Sequence, residues 1–369
     1  MRMVTKWRFW RSPKGVTMYL MKRIIAGSAI VWVAFCLAPV SVSATTFDNL
    51  FVFGDSTVDT GWFKNKFPPI ASPLYPYAVA SAADGGRIPD TPYGVGAAQI
   101  LAGQLGLTAN PADNGAGGTN YAASGAQNNA NFINPNAPAT VSQLTSYTLA
   151  HGGSADPNAL YLVSSGGNDI KYAQTLVGSV ARQGWVDGAA TALANSIAAL
   201  QAAGAHNIIV SNGYYASTVV PLPTSLFARY YNDLFSDLSA LNVSYILADV
   251  QSLETTIFAN PGAYGFTSIS NVDGPNGTAL INPDPADISN SWALYGTTAL
   301  LRSPNAAQTS FWADDEHFAA HAQLLEGDYL YSLVTPLPST WIMLLSGFVG
   351  LGYFAYRGTK KNAAALASA

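Results

Sequence analysis

Short apolar runs alternate along this chain with longer segments in which apolar residues recur at every third or fourth position. The short runs predict β-strands over residues 49–54, 119–122, 159–165, 207–212 and 244–249. The longer segments predict amphipathic helices over residues 96–105, 176–203 and 225–241. Because strands and helices alternate, the pattern favours an α/β domain with a parallel sheet covered by helices on both faces.

Stretches rich in Pro, Asn and Gly interrupt this pattern at residues 67–91, 126–138 and 273–306, and they predict long loops or insertions. The sequence shows no internal repeat. About 290 residues lie between the two ends of the chain, which is ample for one α/β domain with a sizeable core. We therefore predict a single domain over residues 45–334.

The first 44 residues have the composition of an export signal. They hold seven Lys or Arg and no acid, and Met21-Lys22-Arg23 precedes an apolar run from Ile24 to Leu37. A charged start, an apolar stretch and a cleavage site with small residues are typical of a secretory signal peptide. We expect translation to start at Met21 and cleavage to follow Ala44. The alternative is a membrane anchor with a basic arm, for which the apolar run is short.

The C-terminal region carries the same features in reverse order. Pro336-Leu337-Pro338-Ser339-Thr340-Trp341 leads into an apolar stretch that runs to Tyr356, and three basic residues follow. An apolar helix with cations behind it predicts a membrane stop with a cytoplasmic tail. Residues 335–361 resemble the PEP-CTERM sorting signal of exopolysaccharide-producing Gram-negative bacteria, which implies an exosortase as processing partner, and 362–369 form a tail. Leu337 replaces the usual glutamate; a plain anchor and a buried terminal helix are the alternatives.

The charge is distributed unevenly. All 21 acids lie within residues 45–356, whereas seven of the 17 Lys and Arg precede this stretch and three follow it, which leaves a formal charge of −14. So acidic a domain repels phosphate backbones, and we therefore predict no nucleic-acid partner.

Three polar clusters lie far apart in the sequence. Phe53-Gly54-Asp55-Ser56 and Gly166-Gly167-Asn168-Asp169 follow predicted strands, and Asp314-Asp315-Glu316-His317 lies near the end. Functional groups gather at the carboxyl ends of parallel strands, and we expect Ser56 at the head of the first helix, where the helix dipole favours negative charge. A serine attacks an ester when a base takes its proton, a carboxylate orients the base and donors stabilise the oxyanion. The three clusters together offer these groups.

The residues around these clusters resemble the GDSL (SGNH) esterases and lipases. The segment 53–61, Phe-Gly-Asp-Ser-Thr-Val-Asp-Thr-Gly, resembles block I, with Thr57 in the place of leucine. The segment 120–126, Asn-Tyr-Ala-Ala-Ser-Gly-Ala, resembles block II, residues 166–169 resemble block III, and Asp314-x-x-His317 resembles block V. The four motifs occur in family order across nearly the whole predicted domain. The Gly-x-Ser-x-Gly motif of ordinary α/β-hydrolases is absent from the sequence.

The resemblance implies a three-layer α/β/α sandwich of flavodoxin-like topology around a five-stranded parallel sheet. It implies Ser56 as nucleophile, His317 as base and Asp314 as the acid that orients the base. The implied oxyanion hole consists of the Ser56 and Gly125 backbone N–H groups and the Asn168 side-chain amide. Taken alone, Ser56 could be a helix N-cap, and Gly125 and Asn168 could be turn residues.

Two departures affect the motif Asp314-x-x-His317. Phe318 replaces the proline that commonly follows the histidine, and Asp315 and Glu316 are alternative partners for His317. Asp314 is preferred on spacing, since residues three apart can share one helical turn. His321 lies four residues after His317, a spacing that lets two imidazoles share zinc; a solvated His321 is the simpler prediction.

We therefore predict an exported serine esterase or lipase that hydrolyses carboxylic esters through an acyl-enzyme, with no cofactor and no metal. The only cysteine, Cys36, lies in the predicted signal, so the mature domain has no disulfide. The substrate is a lipid, a short-chain ester or an acylated polysaccharide, because the aromatic segment 62–77 suits an acyl chain or a sugar. One alternative is a polysaccharide O-acetylesterase of the exopolysaccharide matrix, and another is a non-catalytic surface protein on the same fold. The expected location is the membrane, cell surface or matrix of a Gram-negative bacterium.

Overall fold

A parallel sheet forms the centre of the domain. The computed structural model describes residues 46–62, 96–112, 117–213, 224–269, 306–312, 317–335, 347–353 and 356. Thr45–Thr335 forms one compact unit. Its strands lie in the order β1-β2-β3-β4, and all neighbouring pairs are parallel: Leu50–Gly54 (β1), Leu160–Ser164 (β2), Asn207–Ser211 (β3) and Ile246–Ala248 (β4).

Helices connect and cover the strands. In chain order they are Ala97–Gln104 (α1), Thr140–Ala150 (α2), Gly167–Ala173 (α3), Ser179–Ala202 (α4), Thr224–Ala240 (α5), Val250–Ala259 (α6), Ala306–Thr309 (α7) and Ala320–Val334 (α8). A short 3-10 helix, Pro261–Tyr264, follows α6. The predicted helices at 96–105, 176–203 and 225–241 correspond to α1, α4 and α5.

The two faces of the sheet belong to two separate cores. Phe51 and Phe53 of β1 point to the core that contains α2, α3, α4 and α5, whereas Leu50 and Val52 point to the core that contains α1, α6 and α8. Successive side chains of a strand point to opposite faces, which explains this division. Strands β1 and β2 are buried along their whole length, as expected for a parallel sheet covered on both sides. The predicted α/β/α architecture is confirmed.

The sheet has four strands in the described residues, and the prediction of five is wrong. Residues 119–122 form only one bridge to β1, between Asn120 and Val52. The Asn120 side-chain oxygen accepts a hydrogen bond from the Ala122 N–H at 2.9 Å. The backbone still runs beside β1, because the N–H groups of Tyr121 and Ala123 donate to the Val52 and Gly54 carbonyls, but the pairing is too short to count as a strand.

The register of β1 and β2 aligns the ends that precede the polar clusters. Gly54 lies opposite Ser164, and Ser164 lies opposite Ser211. Gly54 has φ +145, and a Cβ there would lie 1.8 Å from the Ser164 carbonyl oxygen. Only glycine therefore allows the two strand ends to approach this closely.

Several predictions fall outside the described residues. These are the signal peptide at 1–44 with Cys36, the loops at 67–91 and 273–306, the aromatic segment beyond Trp62, and Asp314 to Glu316. Of the second unit, residues 347–353 and 356 are described, and they are helical. Among the described residues, no helix is long and apolar enough to cross a membrane.

Candidate active site

Ser56 lies in a tight turn directly after β1. The Asp55 carbonyl accepts from the N–H groups of Val58 and Asp59, and Asp55 N–H donates to the Ser164 carbonyl of β2. The structure thus places Ser56 in a turn over residues 55–59, rather than at the head of a helix as predicted. The turn fixes the serine above the end of the sheet by backbone hydrogen bonds on both sides.

Thr57, which stands where the family name has leucine, reinforces this turn. Its backbone N–H and its hydroxyl both donate to the Asp55 side-chain oxygen Oδ1, at 3.0 and 2.9 Å. The Thr57 hydroxyl also lies 3.0 Å from the Ser164 hydroxyl. The departure from the motif therefore adds polar contacts between the turn and β2.

His317 lies against Ser56. Its Nε2 is 2.7 Å from the Ser56 Oγ, although the two residues are 261 positions apart in the sequence. His317 is only 4% exposed, so water has little access to the imidazole. This distance lies within the range that a general base needs to take a proton from a hydroxyl.

The backbone on either side of residues 313–316 is well anchored. Trp312 and Phe318 form an antiparallel bridge, and Ala319 N–H donates to the Phe311 carbonyl. Phe318, which replaces the family's proline, is buried, and its ring lies 4.7 Å from that of Phe311. Aromatic packing therefore holds the backbone next to His317, where a proline would restrict it covalently. Asp314 itself lies outside the described residues.

The turn that contains Gly125 is bound to the turn of Ser56. Asp59 Oδ2 accepts from both the backbone N–H and the hydroxyl of Ser124, at 2.9 and 2.6 Å. Asp59 Oδ1 accepts from the N–H groups of Gly61 and Trp62 at 2.9 and 2.7 Å. Gly125 has φ +83, a left-handed conformation that favours glycine.

Asn168 approaches the same turn from the other side. It lies in the first turn of α3, directly after β2, and its Nδ2 donates to the Ala126 carbonyl at 3.0 Å. The next residue, Asp169, accepts from the Asn128 N–H at 2.9 Å. Segment 124–128 is therefore held between the Ser56 turn and the start of α3.

Burial changes the proton affinity of both acids. Burial raises the pKa of Asp59, and the hydrogen bonds from Ser124, Gly61 and Trp62 oppose this rise. Burial also raises the pKa of Asp169 to about 8, which the Asn128 N–H partly offsets. Asp169 is therefore largely protonated at neutral pH.

Two backbone donors near Ser56 stay available. In the part of the chain that the structure describes, neither the Ser56 N–H nor the Gly125 N–H donates to a protein acceptor. Asn168 has two side-chain N–H groups, of which Ala126 takes one. The three predicted oxyanion donors therefore belong to segments that contact one another, and each has donor capacity for an oxygen atom.

The histidine pair shows no arrangement for zinc. His321 Nε2 lies 2.8 Å from the Tyr264 carbonyl, whereas His317 Nε2 faces Ser56. A carbonyl oxygen only accepts, so His321 Nε2 carries a proton. The prediction of a solvated His321 is wrong, because its ring is half-buried against Phe266 and bound to Tyr264. Among the described residues, no three or more His, Cys, Asp or Glu are grouped for metal binding.

One protein-family model matches the part of the sequence that contains the turns of Ser56 and Gly125 and the start of α3. The model of the GDSL-like Lipase/Acylhydrolase family matches residues 50–258. The chain belongs to this family. The matched residues include Ser56, Gly125 and Asn168.

Two individual proteins that this GDSL-like chain resembles share less than a third of their aligned residues with it. It is 29% identical over 327 residues to an uncharacterized protein in the trpE-trpG intergenic region of Pseudomonas putida, a match that covers 78% of this chain and 49% of the relative. The chain thus spans about half the length of that protein. The crystal structure of a putative GDSL-like lipase from Parabacteroides merdae matches with 13% identity and a TM-score of 0.39, over 78% of this chain and 96% of that one.

Two residues of this GDSL-like site carried no role in the sequence analysis. Asp59 stands within the segment that resembles block I, but its side chain was given no role there, and Gln143 lies in none of the motifs. The Gln143 amide brackets Gly54, accepting from its N–H at 2.8 Å and donating to its carbonyl at 2.9 Å. Both side chains hold turns of the site in place across 65 or more residues of sequence.

Proposed function

We propose that this protein is a serine esterase or lipase that cleaves carboxylic esters through an acyl-enzyme. The observation that carries the proposal is the 2.7 Å contact between His317 Nε2 and Ser56 Oγ in a chain of the GDSL-like family. A serine hydroxyl is a weak nucleophile until a base removes its proton, and a buried imidazole at this distance can act as that base.

In the proposed reaction, Ser56 Oγ attacks the ester carbonyl while its proton passes to His317 Nε2. The Ser56 and Gly125 N–H groups and the second N–H of Asn168 stabilise the negative oxygen of the tetrahedral state. The imidazolium then protonates the leaving alcohol, and the neutral imidazole activates water to hydrolyse the acyl-enzyme. Asp314 is proposed as the acceptor for the opposite ring nitrogen, Nδ1, which fixes the tautomer.

Hydrolysis of p-nitrophenyl esters from acetate to palmitate tests the proposal. The purified full chain is expected to hydrolyse part of this series, and Ser56→Ala to lower kcat by at least about 10⁴-fold. Ser239→Ala, an exposed serine on α5, is the matched control and should leave kcat unchanged. Activity that survives in Ser56→Ala would exclude Ser56 as the nucleophile, whereas the preferred chain length would separate a short-chain esterase from a lipase.

An acylated polysaccharide is a second candidate substrate, and one surface feature favours it. Phe132 is 59% exposed, and its ring stacks on Tyr172 at 4.8 Å with an interplanar angle of 12°. Gln127 Oε1 accepts from the Phe132 N–H at 2.6 Å, which fixes the loop. A held, exposed aromatic face is suited to stacking on a sugar ring.

Comparison of a polymeric and a small ester distinguishes the two substrates. If the aromatic face binds sugar, Phe132→Ala should lower kcat/KM on acetylated polysaccharide about tenfold and leave p-nitrophenyl acetate unchanged. An equal change on both substrates would contradict sugar binding. Leu149→Ala, another exposed apolar residue, serves as the control.

We further propose that the chain is exported and engages the membrane through its C-terminal apolar segment. The basic, acid-free N-terminus and the apolar run before Arg357 support this. Fractionation of cells that express the full chain should find the protein outside the cytoplasm. Deletion of residues 336–369 should release it from the membrane fraction, and a fully cytoplasmic protein would refute the proposal.

A further inference from the structure

Asp59 and Ser124 form a buried pair that links the turn of Ser56 to the turn of Gly125. Both residues are at most 3% exposed, and they lie 65 positions apart. The Ser124 N–H and hydroxyl donate to the same carboxylate oxygen, at 2.9 and 2.6 Å. Ser124 directly precedes Gly125, so the carboxylate fixes the residue whose carbonyl forms the peptide with the Gly125 N–H. That carbonyl itself accepts from the Asn134 side-chain amide at 2.9 Å, which holds the other edge of the turn.

The other oxygen of the same carboxylate holds the nucleophile's own segment. Asp59 Oδ1 accepts from the Gly61 and Trp62 N–H groups, while the Asp59 N–H donates to the Asp55 carbonyl at 3.0 Å. One side chain therefore binds backbone on both sides of the gap between Ser56 and Gly125. Displacement of either turn must break one of these hydrogen bonds.

The far end of the Gly125 segment is fixed separately. Asn128 N–H donates to Asp169, and the Asn128 side chain donates to the Ala189 carbonyl at 2.9 Å and accepts from the Ser165 hydroxyl at 2.7 Å. This end is bound to α3 and α4, three residues away from Gly125. Two residues before Gly125, the Ala123 N–H also reaches the Ser56 motif and donates to the Gly54 carbonyl at 3.1 Å. The Asp59–Ser124 contact is the side-chain link between the two segments, and it lies directly next to Gly125.

We infer that Asp59 and Ser124 are positioning residues for ester hydrolysis, which set the Gly125 N–H at the distance from Ser56 that the developing oxyanion requires. The inference rests on the proposed serine esterase function. Neither residue touches the reacting atoms. Their effect acts through the backbone of residues 124–125, and a misplacement of about 1 Å at such a donor costs about 100-fold in rate.

Kinetics of Ser124→Ala and Asp59→Asn test the inference. Ser124→Ala removes the hydroxyl donor but keeps the backbone one, and we expect kcat to fall about tenfold with KM changed less than about threefold. Asp59→Asn should lower kcat about 100-fold, because its amide nitrogen cannot accept from Ser124. The double variant should be no slower than Asp59→Asn, since both changes break one contact.

The chain offers a matched control of the same chemistry. Asp249 accepts from the Ser252 N–H at 3.1 Å and from the Ser252 hydroxyl at 2.7 Å, at the start of α6. Ser252→Ala removes an equivalent hydroxyl contact and should leave kcat unchanged. A similar fall in kcat for Ser252→Ala and Ser124→Ala would overturn the inference, because the effect would then follow general stability.

A boronic acid that mimics the tetrahedral state provides a second readout. Its affinity should fall in Ser124→Ala by the same factor as kcat/KM, while a merely structural role would change the midpoint of thermal unfolding and leave this affinity unchanged. If Asp59→Asn does not fold, Ser124→Ala decides the question by itself. The wild-type and Ser56→Ala proteins are measured in parallel, so loss of the esterase function is distinguished from failure of this inference.

Discussion

The Asn168 side chain donates one N–H to the Ala126 carbonyl at 3.0 Å, so the direction of its second N–H is fixed. An asparagine amide has two donors and does not titrate, and a preorganised donor of this kind is suited to an oxyanion.

Asn168→Ala should therefore lower kcat about 10²- to 10³-fold with little change in KM, measured on the best p-nitrophenyl ester. Asn168→Asp should lose a similar amount, because a carboxylate cannot donate. Asn129→Ala changes an exposed asparagine in the neighbouring loop and should have no effect. A loss below about threefold in Asn168→Ala would contradict its place among the oxyanion donors.

Alanine variants of Gly125 and Gly152 distinguish an effect on the active site from the effect of backbone strain on stability. Both have positive φ, but a Cβ at Gly125 would lie 2.6 Å from the Asn134 Cβ, whereas a Cβ at Gly152 meets nothing within 4 Å. Gly152→Ala should cost about 1 kcal/mol in the free energy of unfolding and leave kcat unchanged. Gly125→Ala should cost more and also lower kcat at least about tenfold.

Urea unfolding and steady-state kinetics of the two glycine variants check this prediction. Equal kinetics in both variants would show that the Gly125 backbone has no part in catalysis.

Gln143 stabilises the end of β1. Its amide satisfies the Gly54 N–H and carbonyl and also donates to the Pro138 carbonyl at 2.9 Å. Gln143→Ala leaves the buried Gly54 N–H without an acceptor, so the free energy of unfolding should fall by about 2–3 kcal/mol in urea titrations. Ser142→Ala, at the exposed neighbouring position on α2, should change it by less than about 0.5 kcal/mol. Similar values for both variants would contradict this role for Gln143.

Glu326 should make stability depend on pH. Burial on α8 raises its pKa from 4.5 to about 8. The folded state therefore binds more protons than the unfolded state between these values, and stability falls as pH rises through this window. Glu326 contributes up to about 1.4 kcal/mol per pH unit to the decrease in the free energy of unfolding, and this contribution vanishes above about pH 8.

Glu326→Gln removes this titration, so its free energy of unfolding should fall less steeply than that of the wild type between pH 5 and 8. Urea titrations at each pH measure the difference. Ser332→Ala, at an exposed position on α8 that carries no titratable group, is the control, and it should retain the wild-type slope. Identical slopes in wild type and Glu326→Gln would refute the prediction.

The sequence alone determined the architecture, because its signals are local. The apolar runs at 49–54 and 159–165 are continuous since β1 and β2 are buried on both faces, and the periodicity over 176–203 reflects one buried stripe of α4. The motifs likewise identified Ser56, Gly125, Asn168 and His317 as candidates. Their spacing could not show how closely they approach.

Only the tertiary structure decided the contacts between distant segments. It placed His317 Nε2 beside Ser56 Oγ, reduced the fifth strand to one bridge at Asn120, and paired Asp59 with Ser124. These results depend on side-chain hydrogen bonds between residues 60 or more positions apart in sequence, such as Asn120 to Val58 and Asp59 to Ser124. Propensity and periodicity report only what a residue does within its own element, so they carry no information on such partners.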